Sequence, residues 1–161
     1  MVDVAHQPIR KLPWLLACVA LSLLPGLVGG QFGPDEWYAN LDKPALNPPG
    51  WVFPIVWTTL YVLMGIALFV FISRAPRGAR GVGVALFVAQ LVLNGAWSWL
   101  FFGLHSPGAA LVDIVLLWLL IFATITQFVQ HSRLAAWLLV PYLAWVTFAT
   151  YLNIAIWSIN P

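Results

Sequence analysis

Charge is what this chain most lacks. Asp, Glu, Lys and Arg together make up 7% of its 161 residues, against 62% hydrophobic residues. A water-soluble domain of this size could not cover its surface with so few charges, so lipid is the expected solvent. The seven Lys and Arg form no long run and the formal net charge is only +2, which removes the usual footprint of a nucleic-acid partner. A single cysteine, Cys18, excludes an internal disulfide, and its place in an apolar run reads as a small buried side chain. Histidine is scarce as well. His6, His105 and His131 stand on separate loops or termini without metal-ligand spacing, and no nucleophile–base pair or phosphate-binding loop is visible.

What is abundant is long apolar sequence. Crossing the hydrocarbon as a helix takes about 20 apolar residues. Five segments qualify, at roughly 12–30, 51–72, 82–102, 108–130 and 134–157, with ends uncertain by about 2–4 residues. Runs this long do not alternate as barrel strands would. The expected fold is an all-α membrane protein, a single five-transmembrane-helix bundle over 1–161 with a structured loop at 31–50. Arg10 and Lys11 ahead of the first run resemble a signal peptide. That run reaches about 19 residues without a clear small-x-small cleavage site, which favours an uncleaved helix. Pro25 and Gly26 are expected to bend its second half. Ser106-Pro107 and Ser132 read as helix starts. The short connections predict that sequence neighbours pack antiparallel.

Basic residues set the orientation. The N-terminus, the 73–80 loop and the 131–133 turn carry Arg10, Lys11, Arg74, Arg77, Arg80 and Arg133, against Lys43 alone on the opposite side. This positive-inside bias places the N-terminus in the cytoplasm of a bacterial plasma membrane, with the 31–50 loop and the C-terminus outside.

Inside lipid, polar and aromatic stripes carry the information that apolar periodicity loses. Phe53, Trp57, Tyr61 and Met64 share one face, as do Gln90, Asn94, Trp97 and Phe101, and Tyr142, Trp145, Ala149 and Asn153. Trp14, Trp51, Trp99, Trp118, Trp137 and Trp157 read as an interfacial belt. Trp57, Trp97 and Trp145 lie deeper, beside amides or hydroxyls, in the manner of a pocket wall for a flat apolar ligand. Asp113 is the one acid within a span and must face the bundle, either to tie the fourth helix to a neighbour or to serve a proton or ligand. Gly81, Ala85 and Ala89 form a small-residue stripe suited to close packing or a dimer face.

The 31–50 loop is too aromatic and too rich in proline to be passive. Pro34-Asp35-Glu36 opens a short helix to about residue 41, carrying Trp37, Tyr38 and Leu41. Lys43-Pro44 and Asn47-Pro48-Pro49-Gly50 then impose extended and turn geometry. Such a segment can form a rigid lid over the bundle mouth.

Four motifs in this sequence resemble those of the tryptophan-rich sensory protein / translocator protein family: W-Y-x-x-L-x-K-P-x-x-N-P-P (37–49), W-V-F-P-x-x-W-T-x-L-Y (51–61), A-Q-L-x-x-N-x-x-W (89–97) and V-P-Y-L-x-W-x-x-x-A-T-x-L-N (140–153). The resemblance implies a five-helix bundle, usually a homodimer, with a cavity below the first loop. That cavity would bind porphyrin or haem-like tetrapyrroles and isoquinoline carboxamide or benzodiazepine drugs. No cofactor is required. Tyr38, Pro48, Phe53, Trp57, Tyr61, Asn94, Trp97, Asp113, Trp145 and Ala149 carry over as its lining; Trp37, Tyr142 and Asn153 join them from the stripes and the lid. Gly81, Ala85 and Ala89 carry over as the dimer contact. Some relatives degrade protoporphyrin IX in light with two cavity tryptophans. The resemblance retains Trp57 as the first and assigns the second position to Ile154, which argues for binding over catalysis, with Trp145 as a substitute. Ile154 and Ser158 also break the family's sterol motif, so sterol binding is expected to be weak or absent. His105, on the mouth side, reads as a solvated loop residue more readily than as a haem ligand.

Overall fold

The computed structural model describes residues 11–160, so Arg10 and His6 lie outside the described residues. Backbone amides have no water to bond in hydrocarbon, and the chain answers with helices that satisfy themselves internally. Five are long and apolar enough to cross a membrane. They are α1 (Lys11–Gly29), α3 (Val52–Arg74), α4 (Arg77–Ser98, continued by a π-helical turn Trp99–Gly103), α5 (Pro107–Val129) and α6 (Arg133–Ile159). A short α2 (Glu36–Asn40) lies in the first loop.

The spans close into a ring in the order α1, α3, α6, α5, α4 and back to α1. The consecutive spans α1 and α3, α4 and α5, and α5 and α6 pack together as expected; α3 and α4 depart from that expectation. Only Ala75 and Pro76 separate α3 from α4, yet α1 is wedged between them. Missing side chains make the wedge possible. A Cβ on Gly65 would stand 2.5 Å from the Val19 Cα, and one on Gly29 would stand 2.8 Å from the Ser98 hydroxyl. Close backbone approach through small residues is how helices associate without a hydrophobic driving force between them.

Several boundaries shift. The expected 73–80 loop is largely helix. Pro76 precedes the first turn of α4, and the Arg80 Nε–H donates to the Ala75 carbonyl at 2.9 Å. Gly78 and Gly81 hid that turn in the sequence, because glycine is a poor helix former where packing does not decide. The loop helix begins at Glu36 rather than Pro34. Asp35 caps it by accepting the Tyr38 N–H at 3.0 Å. Ser132 caps α6 through the Ala135 N–H, whereas Ser106 precedes Pro107 without a side-chain cap bond. α1 continues helical through Pro25 to Gly29.

Lys11, Arg74, Arg77, Arg80 and Arg133 lie at the end where α1, α4 and α6 begin; Lys43 lies at the opposite end with the loop. Trp14, Trp51, Trp99, Trp137 and Trp157 are exposed near helix ends, as a belt requires. Trp118 is not a belt residue. It sits midway along α5, where its indole N–H donates to Thr147 Oγ1 at 2.8 Å and ties α5 to α6.

Gly65→Ala is expected to destabilise the protein by about 1–3 kcal/mol through overpacking against the α1 backbone. Gly78→Ala, whose Cβ would meet open space, should be neutral or slightly stabilising. Thermal melts of both variants in the same detergent compare them directly.

Candidate functional site

The three stripes converge. On α3, α4 and α6 they meet around one chain of hydrogen bonds. The Tyr61 hydroxyl donates to Asn94 Oδ1 at 2.7 Å, and the Asn94 amide donates to the Tyr142 hydroxyl at 3.0 Å. That hydroxyl in turn donates to Gln90 Oε1 at 2.8 Å. All four residues are buried. Each link crosses between helices, so the chain fixes the rotation of α3, α4 and α6 together. Gln90 belongs to this centre although no ligand role was expected of it; its signal was its place one turn from Asn94 on the same face.

Aromatic rings stand over the chain. Trp57 stacks on Tyr61 with centroids 5.5 Å apart and meets Tyr142 edge-on at 6.2 Å. Phe53 meets Trp145 edge-on at 5.9 Å, joining the mouth end of α3 to the middle of α6. Unlike Tyr61 and Tyr142, the residues Phe53, Trp57, Trp97, Trp145 and Ala149 keep partial exposure. Asn153 accepts the Trp97 indole N–H at 3.0 Å and donates to the Pro107 carbonyl at 2.8 Å, clasping α4, α5 and α6.

The loop rests on an aromatic platform at the head of α4. Trp37 and Tyr38 both pack edge-on against buried Phe101, at 5.9 and 6.2 Å, and Tyr38 also meets Phe102 at 5.3 Å. The π-helical turn places these two consecutive phenylalanines; such turns often occur at functional positions. Lys43 stands over the Tyr38 ring at 4.8 Å, and its ammonium donates to the Ala39 and Leu41 carbonyls. Pro48 is half-buried in the loop's second half. Outside the spans, Asp35 is held below the ordinary carboxylate range, chiefly by the Tyr38 N–H; desolvation, next in size, raises it, and the His105 hydrogen bond and charge lower it further.

Three side-chain polar atoms in and beside this centre are buried without a partner: the Trp145 indole N–H, Asp113 Oδ2 and the Gln90 amide nitrogen. Asp113 faces the interior of the bundle, as an acid in a span must. Residue 154 does not. Ile154 is exposed on the outer face of α6, between buried Asn153 and Ile156. Its identity therefore bears little on the interior, and Trp145 is the α6 indole that faces the other rings. A groove of about 470 Å3 runs elsewhere, on the outer surface between α1 and α4, lined by apolar residues such as Leu24, Val28, Val92 and Trp99. Gly81 and Ala85 are exposed on α4 and Ala89 is half-buried. Among the described residues no cluster of His, Cys, Asp or Glu could hold a metal ion.

A five-helix bundle with lipid-facing outer surfaces, an internal polar chain and an ordered loop across one mouth is an integral membrane protein. More narrowly, the chain belongs to the TspO/MBR family, whose model matches residues 14–158. It is 48% identical over 156 residues to the tryptophan-rich protein TspO of Chlorobaculum tepidum, covering 94% of this chain and 99% of that protein. It is 42% identical over 149 residues to the tryptophan-rich sensory protein of Cereibacter sphaeroides, covering 92% and 90%. The human translocator protein is 41% identical, with 92% of each chain covered.

Tyr142→Phe is expected to cost more stability than Tyr61→Phe. The first leaves both Asn94 and Gln90 short of a partner in a dry interior, at about 1–3 kcal/mol for each unsatisfied group. The second removes one donor at the end of the chain. Comparison of their melting temperatures checks the order.

Proposed function

We propose that this protein is a membrane receptor or carrier for porphyrin or haem-like tetrapyrroles, which enter beneath the 31–50 loop. One observation carries the reading most directly: the Trp145 N–H is buried without an acceptor beside half-exposed aromatic rings. An unsatisfied donor inside a membrane protein is costly, and a ligand carbonyl or carboxylate would satisfy it. Phe53, Trp57, Trp97 and Trp145 offer ring faces to a flat apolar body, while Tyr38 and Asn94 orient its polar edge. Isoquinoline carboxamides and benzodiazepines share the same features, a flat aromatic body with a carbonyl. The role is tetrapyrrole homeostasis, transport or stress sensing. Gly81, Ala85 and Ala89 serve a homodimer through the outer face of α4. The basic end faces the cytoplasm of a bacterial plasma membrane, and the loop and C-terminus face out. The mouth end of α6 presents no Lys or Arg to a sterol hydroxyl.

Protoporphyrin IX is expected to quench tryptophan fluorescence of the purified protein in the dark. Trp57→Ala and Trp97→Ala should weaken that binding by about ten-fold or more, the equivalent of losing one stacking contact of 1.4 kcal/mol or greater. Unchanged quenching in both variants refutes the site. Light distinguishes the second reading, oxidative degradation at Trp57. Conversion of the porphyrin spectrum under illumination and oxygen, faster than in a detergent blank, makes the protein a catalyst. If no tetrapyrrole or drug raises the melting temperature, it is an interaction protein without a small ligand.

A further inference from the structure

We propose that the loop between α1 and α3 is a strap latched to the bundle at two points, and that the His105 latch loosens when the imidazole gives up its proton. The geometry names both latches. At the first, His105 Nε2 lies 2.8 Å from Asp35 Oδ2, and the imidazole stacks on Trp37 with centroids 4.4 Å apart and an interplanar angle of 18°. His105 comes from the turn between α4 and α5, so these contacts bind the strap to the bundle. At the second, Asn160 at the end of α6 receives the Asp42 N–H at 2.9 Å and donates to the Asp42 carbonyl at 3.0 Å. The two latches bracket α2. Among the described residues, the hydrogen bonds of the flanking stretches 30–34 and 43–50 are local to the loop or reach back only to the end of α1.

The backbone of His105 supports the assignment. Its φ is +50°, the one positive value on a non-glycine among the described residues. That conformation is uncommon for a residue with a Cβ and persists where surrounding contacts over-determine it. Here it turns the ring onto both Asp35 and Trp37. Asp35 also works twice: Oδ2 meets the imidazole while Oδ1 caps α2 through the Tyr38 N–H. Loosening the pair therefore loosens the start of α2.

The charges around His105 give the sign. Asp35 meets the imidazole from the strap, whose other acids are Glu36 and Asp42. Lys43 is committed to the Ala39 and Leu41 carbonyls. The only charged residue of α5 is Asp113, buried below its start, and the charges of α4 and α6 lie at the other end of the bundle. A protonated imidazole gains from the carboxylate, and a neutral one keeps only an ordinary hydrogen bond. The latch is strongest while Asp35 is ionised and His105 is charged. It weakens once the imidazole is neutral, because the carboxylate then has no charge to attract. Both side chains are more than two-fifths exposed, so solvent limits the effect. The expected ratio is roughly two- to five-fold, typical of an exposed ion pair.

Hydrogen–deuterium exchange of the intact protein in detergent, read on the peptide spanning 35–42 and corrected for the intrinsic pH dependence of exchange, tests this without any ligand. Protection in the wild type should fall roughly two- to five-fold between pH 5 and pH 8. His105→Asn, which tolerates the turn but lacks the imidazole, should show low protection with no such slope. Asp35→Asn keeps the helix cap and should also lose the slope, and it gives the same reading if His105→Asn fails to fold. Asn160→Ala should lower protection around Asp42 at every pH while the slope remains. A flat wild-type profile, or a slope that survives in both His105→Asn and Asp35→Asn, overturns the proposal.

Discussion

The hydrocarbon core offers no water, and that constraint shapes every polar group in this bundle. Tyr61, Asn94, Tyr142 and Gln90 meet it with one chain whose every link crosses a helix boundary, leaving of the four only the Gln90 amide nitrogen without a partner. The chain therefore does more than remove a penalty. It sets the rotation of α3, α4 and α6 about their axes, which in turn decides that Trp57, Trp97 and Trp145 point inward. Apolar packing alone would leave that rotation poorly defined, because lipid accepts any apolar face. α1 is held by a different means, backbone approach at glycine, which needs no polar partner.

The mouth follows the opposite logic. There the polar groups can reach water, and the loop is held by a mixture of aromatic packing and exposed hydrogen bonds. Phe101 and Phe102 provide the platform, Trp37 and Tyr38 rest on it, and His105 and Asn160 fasten the two sides of α2. A rigid interior beneath a cover held by weaker bonds suits the ligand entry proposed above, because such a cover can yield without unfolding the bundle. The buried Trp145 N–H lies on the interior side of that boundary, where an unpaired donor is most costly.

Much of this was legible in the residues. The three stripes on α3, α4 and α6 showed their inward faces, because polar and aromatic side chains at helical spacing have few alternatives in lipid. The lid helix was visible in Asp35-Glu36 and the prolines that follow it. Other features were not. Trp118 looked interfacial because tryptophan usually is, yet its N–H pairs with Thr147 in the middle of the membrane. Motif position gives residue 154 an interior role, yet Ile154 lies on the outer face, since one step along a helix turns a side chain by about 100°. The latches depend on residues far apart in the chain, Asp35 with His105 and Asp42 with Asn160, and nothing local pairs them.

By itself, then, the sequence determined the solvent, the number of spans, their charge asymmetry and the faces that turn inward. Each of those follows from length, composition or a period along one helix. Only the tertiary structure decided the order of helices around the ring, with α1 between α3 and α4, and the partners of each buried polar group. Those depend on where a glycine lets two backbones meet and on which side chains reach one another across helices, and such distances exist only once the bundle has closed.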